Sequence, residues 1–127
     1  MPPQESSRPT DGELEILNVL WERGPCTVRQ VHAGLRRDVG YTTVLKLLQI
    51  MTEKQLVVRD ESQRSHVYRA RHKQGKVQRR LVKDLMDRAF SGAIDKLVQQ
   101  AISAREISPE ELAEIRKMLD DLAEKGP

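Results

Sequence analysis

The chain has 127 residues, 22 of them Lys or Arg and 19 Asp or Glu, for a net charge of +3, with 38% hydrophobic and 32% charged residues. That length fits one compact domain or two small ones, and apolar runs of only a few residues fall far short of the roughly 20 that cross a bilayer. No basic, apolar, then small-residue leader opens the sequence. A single cysteine, Cys26, excludes an internal disulfide and any zinc site built on two or more cysteines. The expectation is a cytoplasmic protein without cofactor or structural metal. Its charge is unevenly spread. Residues 1–25 carry two basic and five acidic groups, residues 26–73 carry ten and four, and residues 74–127 carry ten of each. The surplus of +6 in the central block is where a polyanion-binding surface would need it.

Residues 1–9, with three prolines and little apolar content, read as a disordered tail. Thr10 and Glu13 then have the spacing of a capping box, and Leu14, Leu17, Leu20 and Trp21 recur at helical intervals until Gly24-Pro25 ends the first helix. A second box, Thr27 to Gln30, opens a short helix with Val28, Val31 and Leu35 on one face. Arg36-Arg37-Asp38 leads out into a turn closed by Gly40. In the third helix Val44, Leu47, Leu48 and Met51 follow i, i+3, i+4, i+7, which predicts a buried stripe with Thr42, Leu45, Lys46 and Gln49 opposite.

After Lys54-Gln55 the period shortens to two. Residues 56–60 and 66–70 read as strands joined by the polar turn Glu61-Ser62-Gln63-Arg64-Ser65, a hairpin with a basic tip. From Gly75 the helical period returns through Val77, Leu81, Leu85 and Ala89, with a break expected at Ser91-Gly92. It resumes at Ile94, Leu97, Val98, Ala101 and Ile102. A third capping box, Ser108 to Glu111 with Pro109 at the first helical position, launches a last helix carrying Leu112, Ile115, Leu119 and Leu122 in line.

Three small helices followed by a hairpin make a winged helix-turn-helix, so the fold class is mainly α with a small β-hairpin wing. The expected domains are residues 10–74 for the winged helix and 75–127 for a helical dimerisation region. In such a fold the third helix enters the DNA major groove and the wing touches flanking backbone. Thr42, Thr43, Lys46 and Gln49 are the candidate base-facing residues, and Arg59 and Arg64 the candidate wing contacts, with Arg69 and Arg71 adding charge nearby. The apolar stripes of residues 76–125 exceed what one chain's three short helices can cover. A second copy would bury them, through Leu81, Leu85, Leu97, Ile115, Leu119 and Leu122, and a twofold pairing would space two recognition helices about one DNA turn, roughly 34 Å, or a multiple apart. The competing expectation is that these stripes pack back on the winged domain.

Other residues carry plainer readings. Cys26 is expected to be a small buried residue, Trp21 core, and Tyr68 a brace for the wing, while Tyr41 either packs or contacts the groove. His32, His66 and His72 lack metal-ligand spacing. No phosphate loop, GxSxG, HExxH or Cys–His arrangement points to an enzyme. The acidic groups of residues 106–124 read as a solvated face.

Together Tyr41-Thr42-Thr43-Val44, Leu48, Glu53-Lys54-Gln55-Leu56-Val57 and Arg64-Ser65-His66-Val67-Tyr68 resemble the BlaI/MecI penicillinase-repressor family. So do the upstream Glu13-Leu14-Glu15-Ile16-Leu17, Leu20-Trp21 and Thr27-Val28-Arg29-Gln30-Val31, and the resemblance covers about residues 10–125. It implies a homodimeric repressor bound to dyad-symmetric, double-stranded operator DNA, with dimerisation through the C-terminal helices. In antibiotic-responsive members a membrane sensor triggers cleavage of the repressor, and the matching bond here would be near Gln100-Ala101, without the Asn-Phe pair of those members. Many relatives have arginine where Ile50 stands, which bears on the operator sequence, and glycine where Gln55 stands. The cysteine cluster of the copper-responsive branch is missing after Cys26. Two other functions fit a winged helix: a protein-interaction adaptor, against which the +6 block argues, and a ligand-sensing DNA-binding regulator.

Overall fold

Three helices begin where a hydroxyl precedes Glu or Gln by three residues. Thr10, Thr27 and Ser108 are the N-caps of α1 (Asp11–Arg23), α2 (Val28–Gly34) and α6 (Pro109–Lys125), each in a complete capping box with Glu13, Gln30 and Glu111. The computed structural model describes residues 8–126, so the expected disordered tail lies almost wholly outside the described residues. The other elements are β1 (Cys26–Thr27), α3 (Tyr41–Glu53), β2 (Val57–Asp60), β3 (Val67–Ala70), α4 (Gln74–Ala89) and α5 (Ile94–Ala104). They form two compact units, one up to Leu81 and one from Val82. The architecture is mainly helical with a small antiparallel sheet, a winged helix followed by C-terminal helices.

The first unit is built around one core. Ile16, Leu17 and Leu20 of α1 meet Val28 and Val31 of α2, Val44, Leu48 and Met51 of α3, and Val57 and Tyr68 of the sheet. Burying side chains of this size stabilises by roughly 1.5–3 kcal/mol each. The stripe of α3 is narrower than its sequence suggests: Val44, Leu48 and Met51 are fully buried, while Leu47 and Leu45 are partly buried on either side. Gly34 closes α2 against α1, where a Cβ would come within 2.9 Å of Val19 Cγ1.

The sheet has three strands in the order β1-β3-β2, all antiparallel. In β1 Cys26 lies opposite Tyr68 and Thr27 opposite Val67, a pairing the sequence does not announce because two residues carry no period. Both hairpin strands start one residue later than the alternation suggests, leaving Leu56 and His66 outside. Leu56 has another task. Its N–H donates to Met51 O at 2.9 Å, and Gln55 N–H donates to Thr52 O at 3.2 Å, the two bonds of a Schellman motif that ends α3. The left-handed position of that motif is Gln55, at φ +64°.

One buried charge ties the start of α1 to the end of α3. Glu13, 1% exposed, accepts from Thr10 N–H at 2.9 Å and from Lys54 Nζ at 3.0 and 3.1 Å. A carboxylate taken from water is tolerable only when paired and hydrogen-bonded, and Glu13 is both.

In the second unit the break falls where expected, with Ser91 at φ +50° and Gly92 at φ +79°. None of α4, α5 and α6 contains a buried residue. The start of α6 is reinforced by Arg105, whose two terminal nitrogens donate to the Glu111 carboxylate at 3.0 and 2.6 Å.

Candidate nucleic-acid interface

The helix period of α3 sorts its side chains. Because Val44, Leu48 and Met51 are locked in the core, Thr42, Thr43, Lys46 and Gln49 stand on the outward face, and all four are exposed. Thr42, Lys46 and Gln49 succeed one another one turn apart along a helix about 20 Å long. The N-cap of α3 is Gly40, which supplies no side-chain cap, so the first-turn N–H groups face outward without one. Such an end attracts anions through its free donors and positive dipole.

The wing is pinned before it reaches its tip. Ser62 N–H donates to Asp60 Oδ1 at 2.9 Å, and this bond holds the Asp60 carboxyl below the usual carboxylate range. Tyr68, 2% exposed, braces the hairpin from the core side, as its alternation with Val67 indicates. Arg59 and Arg64 differ. Arg59, itself exposed, lies opposite Tyr68 in the ladder, and its guanidinium pairs with Glu61 at 2.8 Å. Arg64 is exposed at the tip. A groove of about 520 Å3 runs between the start of α2, the start of α3 and the wing tip, and its lining includes Arg29, Tyr41, Leu45, Arg64 and His66.

Arg64, Tyr41 and Arg29 thus stand around one groove at the N-terminal end of α3, while Arg59 is engaged locally. Arg29 was not singled out from the sequence. Its signal was the capping box itself: with Thr27 and Gln30 committed to the cap, Arg29 is the first-turn side chain left to face outward. Tyr41 is 46% exposed and makes an edge-to-face contact with His32 at 6.0 Å between ring centroids, so it both packs and faces the groove. The imidazole of His32 is anchored in turn, its Nε2 lying 2.6 Å from Val39 O.

Residues 9–121 match the family model described as penicillinase repressor. The chain belongs to the penicillinase repressor family. It is 41% identical over 95 residues to the transcriptional regulator BlaI of Mycobacterium tuberculosis, in both strain CDC 1551 / Oshkosh and strain H37Rv, a match covering 71% of this chain and 66% of theirs. It is 19% identical over 115 residues to the penicillinase repressor of Staphylococcus aureus, covering 89% of this chain and 91% of that protein.

The remaining residues fall on both sides of the sequence reading. Cys26 is buried, its thiol 3.2 Å from Gly24 O, and burial pushes its pKa up against the opposing pull of Arg23. That is the setting of an inert thiol. Trp21 is only partly buried, because its indole N–H reaches out to His72 O at 2.9 Å. Among the described residues no group of His, Cys, Asp or Glu is placed to hold a metal ion, and no helix is long and apolar enough to cross a membrane. Of the residues expected at a dimer interface, Leu81, Leu97 and Ile115 are half-buried, while Leu85, Leu119 and Leu122 are 46%, 59% and 68% exposed.

Proposed function

We propose that the protein is a transcriptional repressor that binds dyad-symmetric operator DNA as a homodimer. The observation that carries this reading is the division of α3 into a fully buried stripe and an exposed stripe of Thr42, Thr43, Lys46 and Gln49, with Arg29 and Arg64 flanking its N-terminal end. In the major groove Lys46 would donate to guanine O6 or N7 and Gln49 to and from adenine, with the threonines contacting bases or thymine methyls. Arg29, Arg64 and the uncapped N–H groups of α3 would take phosphates and set the register. Phosphate contacts would supply most of the affinity and its salt dependence. The names of the relatives support the repressor assignment, and occupation of a promoter operator would by itself block transcription.

Dimerisation falls to the second unit. Its exposed side chains Leu85, Val98, Ile102, Leu119 and Leu122 offer apolar area that a second copy would remove from water, worth roughly 25 cal/mol per Å2. Release from DNA through cleavage near Gln100-Ala101 has a structural requirement. Both residues lie inside α5, so a protease needs that helix to open first. A sensor-driven cleavage would leave a shortened chain in cells exposed to a β-lactam.

The test is binding of the purified protein to the intergenic DNA upstream of its own gene, at two salt concentrations, with scrambled duplex as competitor. Tight, salt-sensitive binding that survives competitor is the expected result. Absence of binding at low salt contradicts the reading.

A further inference from the structure

The first unit contains a second concavity, away from the exposed face of α3. It is a pocket of about 250 Å3, bounded by the end of α3, the residues following β3 and the first turns of α4. Its polar lining is Gln55 and His72 together with the cationic Arg8, Lys54, Arg71, Lys76 and Arg80, with no acidic side chain among the lining residues. Its apolar lining is Pro9, Leu56, Val77 and Leu81. The walls are fixed by the backbone. Arg71 N–H donates to Leu56 O at 3.0 Å, and the indole of Trp21 holds His72 O. Lys54 is fixed as well, by its two contacts to Glu13.

Nothing in the DNA-binding reading uses this pocket. A pocket that combines a few convergent polar groups with apolar walls is the usual form of a small-molecule site. Lys54 is already paired with Glu13, so the charge offered to a ligand is that of Arg71 and Lys76, which no acidic lining residue offsets and which an anion complements. The volume sets the size. A cavity of about 150 Å3 takes benzene, so 250 Å3 takes a ligand of roughly ten non-hydrogen atoms.

We infer that this pocket binds a small amphipathic anion, its carboxylate or phosphate held by Lys76 and Arg71 and its apolar body against Leu56, Val77 and Leu81. The site adjoins Lys54, Gln55 and Leu56, the residues that terminate α3. A bound anion would act on the end of the proposed recognition helix and so change DNA affinity, and by reciprocity DNA would change affinity for the anion. Only this coupling rests on the proposed function; the binding itself does not.

The experiment is calorimetric titration of the full chain with octanoate, with hexyl phosphate as the phosphate arm and inorganic phosphate and octan-1-ol as controls. One octanoate or hexyl phosphate per chain is expected, the tighter of the two naming the head group, with both controls at least about tenfold weaker. Lys76→Gln should weaken binding about fivefold, through loss of a charge-assisted contact, and Val77→Phe should abolish it by filling the pocket, with both variants retaining the wild-type circular dichroism spectrum. Equal binding of inorganic phosphate or of octan-1-ol overturns the proposal, as does binding that neither variant alters. A chain that binds octanoate but no DNA contradicts the proposed function and leaves the pocket standing. DNA affinity unchanged by saturating octanoate removes the coupling.

Discussion

The two units of the molecule are written in the same helical code and end in opposite states. Among the described residues every buried side chain lies between Glu13 and Tyr68, in the first unit. The second unit has α6, with a complete capping box, a proline at its first turn and a bidentate Arg105–Glu111 pair, yet not one buried residue. Local signals make a helix; only a second surface makes a core. The first unit finds that surface within itself, because α1, α2, α3 and the sheet supply faces to one another. The second leaves large apolar side chains exposed, which is the form expected of a half-interface.

The sharpest way to break that comparison is to charge the exposed stripe. Leu119→Asp should weaken self-association at least about a hundredfold, read as sedimentation mass against concentration, and should leave the helix content of the first unit unchanged. A variant that keeps its dimer would remove the second unit from the interface.

Next in size is a core truncation. Leu48→Ala should cost about 2–5 kcal/mol, seen as a fall in the urea midpoint, because a fully buried leucine leaves a cavity. Leu122→Ala, made at a position 68% exposed, should cost well under half of that in a monomeric background.

A smaller effect tests the link between α1 and α3. Lys54→Ala leaves the Glu13 carboxylate buried without its cation and should cost about 2 kcal/mol by urea denaturation, discounted because Lys54 is itself 30% exposed. Gln55→Gly should act in the other direction, raising stability by about 1 kcal/mol, since glycine takes the left-handed position of the Schellman motif without a Cβ penalty.

The mildest prediction belongs to the second unit. Glu111 is pulled down to about 2, chiefly by the Arg105 guanidinium and then by the Ser108 N–H. A carboxylate depressed in the folded state stabilises above its ordinary pKa, and that contribution fades as pH falls from about 4.5 towards 2. The Glu111 side-chain resonance should titrate near 2 and return towards 4.5 in Arg105→Ala.

What the sequence made legible was periodic or had a cap. All three capping boxes, the apolar stripe of α3 and the break at Ser91-Gly92 were readable because each places particular residue types at fixed intervals. Strand β1 was not, since Cys26 and Thr27 acquire their role only from Tyr68 and Val67, about forty residues away. The same limit separates Arg59 from Arg64. Both are wing arginines in sequence; in the structure Arg59 lies in the ladder and pairs with Glu61, whereas Arg64 stands at the tip. Glu13 was legible as a cap and not as the partner of Lys54, because the two are 41 positions apart in the chain. The left-handed angle of Gln55, φ +64°, was not legible, because its neighbours Lys54 and Leu56 carry no turn signal of their own.

The reading rests finally on α3 as the element that discriminates bases, and Lys46→Ala tests this most directly. Its affinity for the proposed operator upstream of its gene and for a scrambled duplex should be measured by fluorescence anisotropy at one salt concentration. A loss of about tenfold or more on the operator with little loss on scrambled DNA is the predicted result. An equal loss on both would reduce Lys46 to a phosphate contact and contradict the assignment of α3 as the recognition helix.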